Sequence, residues 1–271
     1  MPVDDKSNTF LDMIRRTLRG RLKVYLGYCT GVGKTYQMLL EGRRLGEQGL
    51  DVVIAFVETH EREDITRLAQ ELEVIPPRMM EYRGVSLREM DIDAVLARKP
   101  EVALVDELAH ANVPGGKNKK RYEDVQDLLE AGIHVITTLN VQHLESLYDT
   151  IQSVVGINVR ERLPDNILSS ADQIVNIDIT TQDLIARLDQ GKIYPLERIE
   201  TARLGIFNRS CLEQLREITL RELASQIDLR RRAPEAVELS PAPDQVLACL
   251  SSAGPNSEML LRYASRLAGK L

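Results

Sequence analysis

Only three cysteines, Cys29, Cys211 and Cys249, occur in 271 residues. Their scatter excludes a disulfide framework and a cysteine-built zinc site, and a reducing compartment is expected. No apolar run approaches the ~20 residues that span a bilayer, so no transmembrane segment is expected in this chain. A secretory core is missing as well, because Arg15 and Arg16 interrupt the first apolar residues. Phe10, Leu11, Ile14 and Leu18 instead have the spacing of a short amphipathic helix, which would dock on its own domain or turn a basic face to a membrane surface. An excess of positive charge is also lacking. The net charge of −6 gives no electrostatic case for nucleic acid as a partner. No internal repeat or low-complexity tract is present. What remains is an ordinary globular composition, 43% hydrophobic and 28% charged, long enough for a full core and an appendage.

Against that background one stretch stands out. Thr30-Gly31-Val32-Gly33-Lys34-Thr35 follows the apolar run 22–26 and reads as strand, glycine loop and helix start, the layout of a phosphate-binding loop. Glycines permit backbone conformations closed to other residues, so successive N–H groups can turn toward phosphate oxygens. The positive end of the following helix adds to that field. In this reading Gly31, Val32, Gly33, Lys34 and Thr35 bind the nucleotide. Lys34 reaches the terminal phosphates and the Thr35 hydroxyl ligates Mg²⁺. The consensus places another glycine five positions before Gly33, where this chain has Tyr28; Gly27 stands one residue earlier. The alternative is a glycine turn that merely precedes Lys-Thr.

A phosphate loop calls for an apolar strand ending in acid. Val102-Ala103-Leu104-Val105-Asp106-Glu107 supplies one. Four apolar residues suit a strand buried on both faces of a parallel sheet. Asp106 would hold Mg²⁺, directly or through water, and Glu107 would polarise an attacking water. By itself such a run is more often a strand entering a solvated turn.

Apolar patterning repeats this alternation along the chain. Strands are expected at 22–26, 51–57, 102–106, 133–139 and 173–179, and helices at 35–48, 64–73, 86–98, 122–131 and 141–155. The sequence therefore predicts an α/β fold with a mostly parallel central sheet and ligands at the strands' carboxyl ends. Those ends carry Glu58 to Asp64, Asp106 to Asn112, and Asn140-Val141-Gln142-His143. His60, His110 and His143 fall just past strand ends, where exposed loop residues are expected and metal ligation is poorly supported. Asn140 is the candidate phosphate sensor. Its run lacks the Lys and Asp of a guanine-specific Asn-Lys-x-Asp, which favours adenine. The loop from Pro114 to Arg121 is basic and glycine-containing. It is either a solvated connection or a switch that carries a Lys or Arg onto the phosphates. No arginine is clearly placed to stabilise transition-state charge.

Together Gly27 through Met38, Glu58-Thr59-His60, Asp106-Glu107-Leu108-Ala109-His110, Pro114-Gly115 and Thr137 through Ser146 resemble the N-terminal cytoplasmic domain of KdpD-type sensor histidine kinases. The similarity runs from about residue 10 to residue 230 and includes Leu215-Arg216-Glu217 and Leu220 through Ala224 in a long basic helix. The family's glycine spacing is like that seen here, which removes the objection raised by Tyr28. Near residues 208–212 the chain departs from the family pattern. Beyond 232, a linker at 233–243 leads to a strand at 245–250 and an amphipathic helix at 256–270, which resemble the opening of a flavodoxin-like, universal-stress-protein-like module.

The resemblance implies a P-loop nucleoside triphosphatase fold over residues 1–232 and a partial stress-protein-like unit over 244–271. It implies ATP and Mg²⁺ as cofactors and regulation of a potassium-responsive two-component system. A protein partner is expected, either the rest of a sensor kinase or components of the potassium system, and self-association is an alternative. The location would be cytoplasmic, at the inner face of the membrane where a partner holds it there. A small-molecule or nucleotide kinase and an adaptor with an idle nucleotide site are the rival readings. The phosphoacceptor and ATPase domains of a histidine kinase have no counterpart here, so weak ATP hydrolysis at most is expected. The strand–helix unit at 244–271 has three expected fates: docking on its own domain, pairing with another copy, or contact with a kinase partner.

Overall fold

The computed structural model describes residues 19–59, 62–156, 159–232 and 257–268. The chain forms two compact units. Among the described residues, one contains 19–26, 33–59, 62–139 and 170–175; the other contains 27–32, 140–156, 159–169, 176–232 and 257–268.

The first unit is built on a six-stranded sheet of order β3-β2-β6-β7-β1-β8. Its strands are β1 (Leu22–Gly27), β2 (Val52–Phe56), β3 (Glu73–Val74), β6 (Val102–Val105), β7 (His134–Asn140) and β8 (Gln173–Asn176). β2 runs parallel to both β3 and β6, and β6 runs parallel to β7, with Val52 opposite Val102 and Val102 opposite His134. Every residue of β2 and β6 is buried, as continuous apolar strands covered on both faces should be. Helices α1 (Lys34–Glu47), α2 (Glu63–Ala69), α3 (Ile92–Arg98) and α4 (Arg121–Glu130) alternate with these strands. A Cβ on Gly42 would come within 2.4 Å of Leu104 Cδ1, so α1 approaches β6 through a position that has no room for a side chain.

Four sequence expectations change, three of them in this sheet and the helices that cover it. The segment expected to be helical at 86–98 opens as the second strand of an antiparallel hairpin, β4 (Arg78–Tyr82) and β5 (Val85–Glu89), before α3 begins. Arg83 (φ 53°) and Gly84 (φ 80°) form its two-residue turn, a backbone shape that favours such hairpins. The side chain of Asp91 then caps α3 by accepting from Ala94 N–H at 3.0 Å. The helix expected at 64–73 ends at Ala69, and Glu73 lies in the edge strand β3. The strand expected at 173–179 ends at Asn176.

The second unit is helical among its described residues. The helix expected at 141–155 is instead two 3-10 turns, Val141–His143 and Glu145–Leu147, followed by α5 (Tyr148–Val155). Val141, Leu144 and Leu147 are all buried, and their three-residue spacing suits three residues per turn as well as it suits one face of an α-helix. Helices α6 (Asp165–Ser169), α7 (Thr181–Asp189), α8 (Ile199–Leu204) and α9 (Arg209–Arg232) follow. α9 buries Leu212, Leu215, Thr219 and Gln226, and Arg216 grips Asp178 with Nε and Nη2 at 2.7 and 2.6 Å. The last described element, α10 (Ser257–Ala268), is held to the same unit by Arg262, whose Nε lies 2.9 Å from Asp149, and by Arg266, 3.0 Å from the Thr150 hydroxyl. The strand expected at 245–250, the linker at 233–243, the N-terminal amphipathic helix and His60 lie outside the described residues.

Candidate functional site

The site grows from the start of α1. Gly33 caps this helix in a left-handed conformation (φ 111°) and has no side chain to offer as a cap. The start of a helix carries a positive field, which suits an anion. Lys34 and Thr35 open the first turn, and Lys34 is buried.

Asp106 stands directly after β6 and is 2% exposed. The Thr35 hydroxyl donates to its carboxylate, 3.1 Å from Oδ2 and 3.3 Å from Oδ1. The hydroxyl of Thr138 on β7 donates to Oδ1 and accepts the N–H of Glu107 at 3.0 Å. Burial pushes the Asp106 carboxyl above the ordinary carboxylate range, and the charge of Glu107 adds to this. The Thr138 and Thr35 hydroxyls and the charge of Lys34 act against the rise. Glu107 itself has φ 59°, an uncommon conformation for a residue with a side chain, and that side chain is exposed. Strain of this kind is characteristic of sites where a side chain must be aimed.

The structure therefore brings Thr35, Asp106 and Glu107 together in one unit with Lys34. Gly31, Val32 and Asn140 belong to the second unit, with Asn140 leading into the first 3-10 turn. Among the described residues no group of three or more His, Cys, Asp or Glu side chains could hold a metal. One hydroxyl and one carboxylate instead suit a hard cation that draws its other oxygens from phosphate and water, as Mg²⁺ does.

Three further residues build the site, of which only Arg121 was named from the sequence, as the end of the basic loop. Thr138 orients Asp106. Arg121, fully buried at the start of α4, donates from Nη1 to the Asp106 carbonyl oxygen at 3.2 Å and from Nη2 to Glu89 Oε2 at 3.0 Å. Its guanidinium carbon lies 4.0 Å from the Phe56 ring centroid. Glu89 Oε1 also accepts the N–H of Val113 at 2.9 Å and lies 3.0 Å from His110 Nε2. Burial pushes the Glu89 carboxyl up, but His110, Arg121 and the Val113 N–H outweigh it and hold the group below its ordinary range. The basic loop is thereby anchored: Arg121 lies in the core and Lys117 pairs with Asp127 at 3.0 Å, which leaves neither as an idle switch residue. His110 and His143 are half-buried rather than exposed, and His143 Nδ1 lies 2.9 Å from the Glu161 carbonyl oxygen. The end of the basic run Lys119-Lys120-Arg121, just before Tyr122-Glu123-Asp124, was the available signal for Arg121. It is indistinguishable in sequence from a solvated helix start.

Comparison with known sequences identifies relatives over most of the chain. The family described as KdpD, the osmosensitive K⁺ channel His kinase sensor domain, matches residues 18–227. A Sensor protein KdpD from Mycobacterium tuberculosis is 47% identical over 94% of this chain, and one from Escherichia coli is 43% identical over its whole length. A Synechocystis relative whose name also contains KdpD is 46% identical over 93% of it. The chain spans 68% of the Synechocystis protein and 30% of each of the other two.

Proposed function

Because the chain belongs to the KdpD sensor-domain family, we propose that its residues 1–232 make a P-loop domain that binds ATP with Mg²⁺ and acts as a regulatory part of a potassium-responsive two-component sensor. The observation that carries this reading is the Thr35 hydroxyl 3.1 Å from the buried Asp106 carboxylate at the start of α1. Phosphate oxygens would meet the N–H groups of residues 31–35 and the Lys34 ammonium, while Thr35 and Asp106 would hold the cation, which supplies charge neutralisation at the phosphates. Glu107 would orient a water and Asn140 would sense the terminal phosphate, with turnover slow. The rest of a sensor kinase is the expected partner, at the inner face of the membrane. No helix among the described residues is long and apolar enough to cross one. The partial flavodoxin-like character of the C-terminal segment belongs to the same reading, and α10 would be its helix.

Calorimetry and thermal melting test this. Mg-ATP at a hundred times its dissociation constant should stabilise the protein by about 2.7 kcal/mol. For a chain of this size that raises the melting temperature by several degrees, at roughly 2–4 °C per kcal/mol. ATP should outperform GTP. Lys34→Ala should remove the shift while leaving the ligand-free melt nearly unchanged, and an equal shift in that variant would refute the assignment.

A further inference from the structure

The structure assigns Arg187 a role in the phosphate loop: we propose that it is the positioning residue that orients the peptide planes following Gly31 and Val32. This deepens the nucleotide reading and rests on it for the identity of the ligand. Gly27–Val32 pack in the second unit together with α7, which carries Arg187. Leu184 and Leu188 are fully buried and fix that helix, which leaves Arg187 half-buried on an adjacent position. Its Nη1 donates to the Gly31 carbonyl oxygen at 3.1 Å and to the Val32 carbonyl oxygen at 3.3 Å.

The consequence follows from peptide geometry. In a trans peptide the C=O of one residue and the N–H of the next point in opposite directions. Holding the carbonyls of Gly31 and Val32 on the Arg187 side therefore sends the N–H groups of Val32 and Gly33 the other way. These two donors lie immediately before Lys34, where a phosphate loop needs them. A cationic donor makes such bonds stronger than a neutral one would. Ile193 packs against the same loop. A Cβ built on Gly31, whose φ is 86°, would come 2.4 Å from Ile193 Cδ1 and 2.7 Å from Cγ1, so the loop backbone is pressed against this side chain. At the loop's start, the Tyr28 hydroxyl donates to the Ile179 carbonyl at 3.1 Å. The loop is thus held by residues more than 140 positions away in sequence, and Arg187 supplies the only one of these contacts that addresses the carbonyls of both Gly31 and Val32 among the described hydrogen bonds.

Amide hydrogen exchange of the nucleotide-free full chain, read at the N–H groups of Val32 and Gly33, tests the positioning directly in wild type, Arg187→Ala and Arg187→Lys. Calorimetry with Mg-ATP on the same proteins reads its effect on binding. Arg187→Ala should speed exchange at both amides by about tenfold and weaken Mg-ATP by about tenfold. Arg187→Lys should fall between wild type and Arg187→Ala, because one ammonium keeps the charge but not the planar fork. The melting temperature, which reports a merely structural contribution, should move little in either variant. Faster exchange in Arg187→Ala supports the positioning role even where the wild type itself binds no Mg-ATP, and in that case the nucleotide reading alone falls. Unchanged exchange at residues 32 and 33, or unchanged affinity in the variant of a wild type that binds, overturns the proposal.

Discussion

Arg121 and Glu89 form an interior ion pair, with Nη2 3.0 Å from Oε2 and side-chain exposures of 0% and 6%. The pair joins the start of α4 to the end of β5, and through the Asp106 carbonyl it reaches the candidate cation site. Removing one partner leaves a buried charge uncompensated, which costs about 3–5 kcal/mol. Arg121→Met should therefore lower stability by that amount in urea unfolding. The double variant Arg121→Met with Glu89→Gln should recover much of it, because no charge is left to desolvate and the glutamine oxygen still accepts the Val113 N–H. Equal losses in single and double variants would show that the pair contributes through shape alone.

Acid should expose the same pair in another way. Glu89 has a folded-state pKa below its ordinary value of 4.5. A depressed carboxylate pKa contributes stability that is fully present above the unfolded value and lost as pH falls through the folded one. Glu89→Gln should thus be less stable than wild type at pH 6, and the gap should close as pH drops below 4.5. The groups that face Glu89 are His110 and Arg121, so the measurement is a comparison of urea midpoints across pH with those residues intact. A gap that widens in acid would contradict the sign.

Asp106 should behave in the opposite sense. Its carboxylate is buried with a raised pKa, so the ionised form is costly in the ligand-free protein. Asp106→Asn keeps the acceptor for the Thr138 hydroxyl but removes the charge. The expected result is a ligand-free melt equal to or above wild type by about 1 kcal/mol, together with loss of the Mg²⁺-dependent part of any ATP shift. A variant that melts lower and still shows the Mg²⁺-dependent shift would remove Asp106 from the cation site.

At the chain's other end, α10 rests on a charge and a ring. Arg262 lies 2.9 Å from Asp149 and 5.7 Å from the Tyr148 ring centroid. A partly exposed ion pair contributes about 1 kcal/mol at most. Asp149→Ala should therefore raise hydrogen exchange across residues 259–267 roughly fivefold while leaving global stability unchanged. Protection in that segment identical to wild type would assign its docking to other contacts.

Much of this architecture was legible in the sequence. Val102 to Val105 followed by Asp106 announced a buried parallel strand and an acid at its end, because four apolar residues in a row have few other uses in an α/β chain. Gly33-Lys34-Thr35 announced a helix start, which the left-handed Gly33 provides. The hairpin was not legible: Arg83-Gly84 is a weak turn signal, and the residues of β4 and β5 are mostly exposed and lack a clear apolar alternation. Nor were Thr138, Glu89 and Arg121. Their roles depend on partners between 15 and 32 positions away, and local pattern carries no information at that separation. Arg187 is the extreme case, since it reaches the glycine loop from 156 positions downstream.

The two outer strands of the sheet have a consequence for how this protein can meet others. β3 is two residues long, and Arg98 lies across the Glu73 end of it with Nη2 2.8 Å from that carboxylate. On the far side, β8 offers four residues. A border so brief gives an incoming extended chain too few backbone groups to pair with, and a charged guanidinium beside it discourages the attempt. Accretion of this sheet into longer ribbons is thereby disfavoured at both margins, which leaves the six-stranded sheet a closed scaffold rather than a template for pairing.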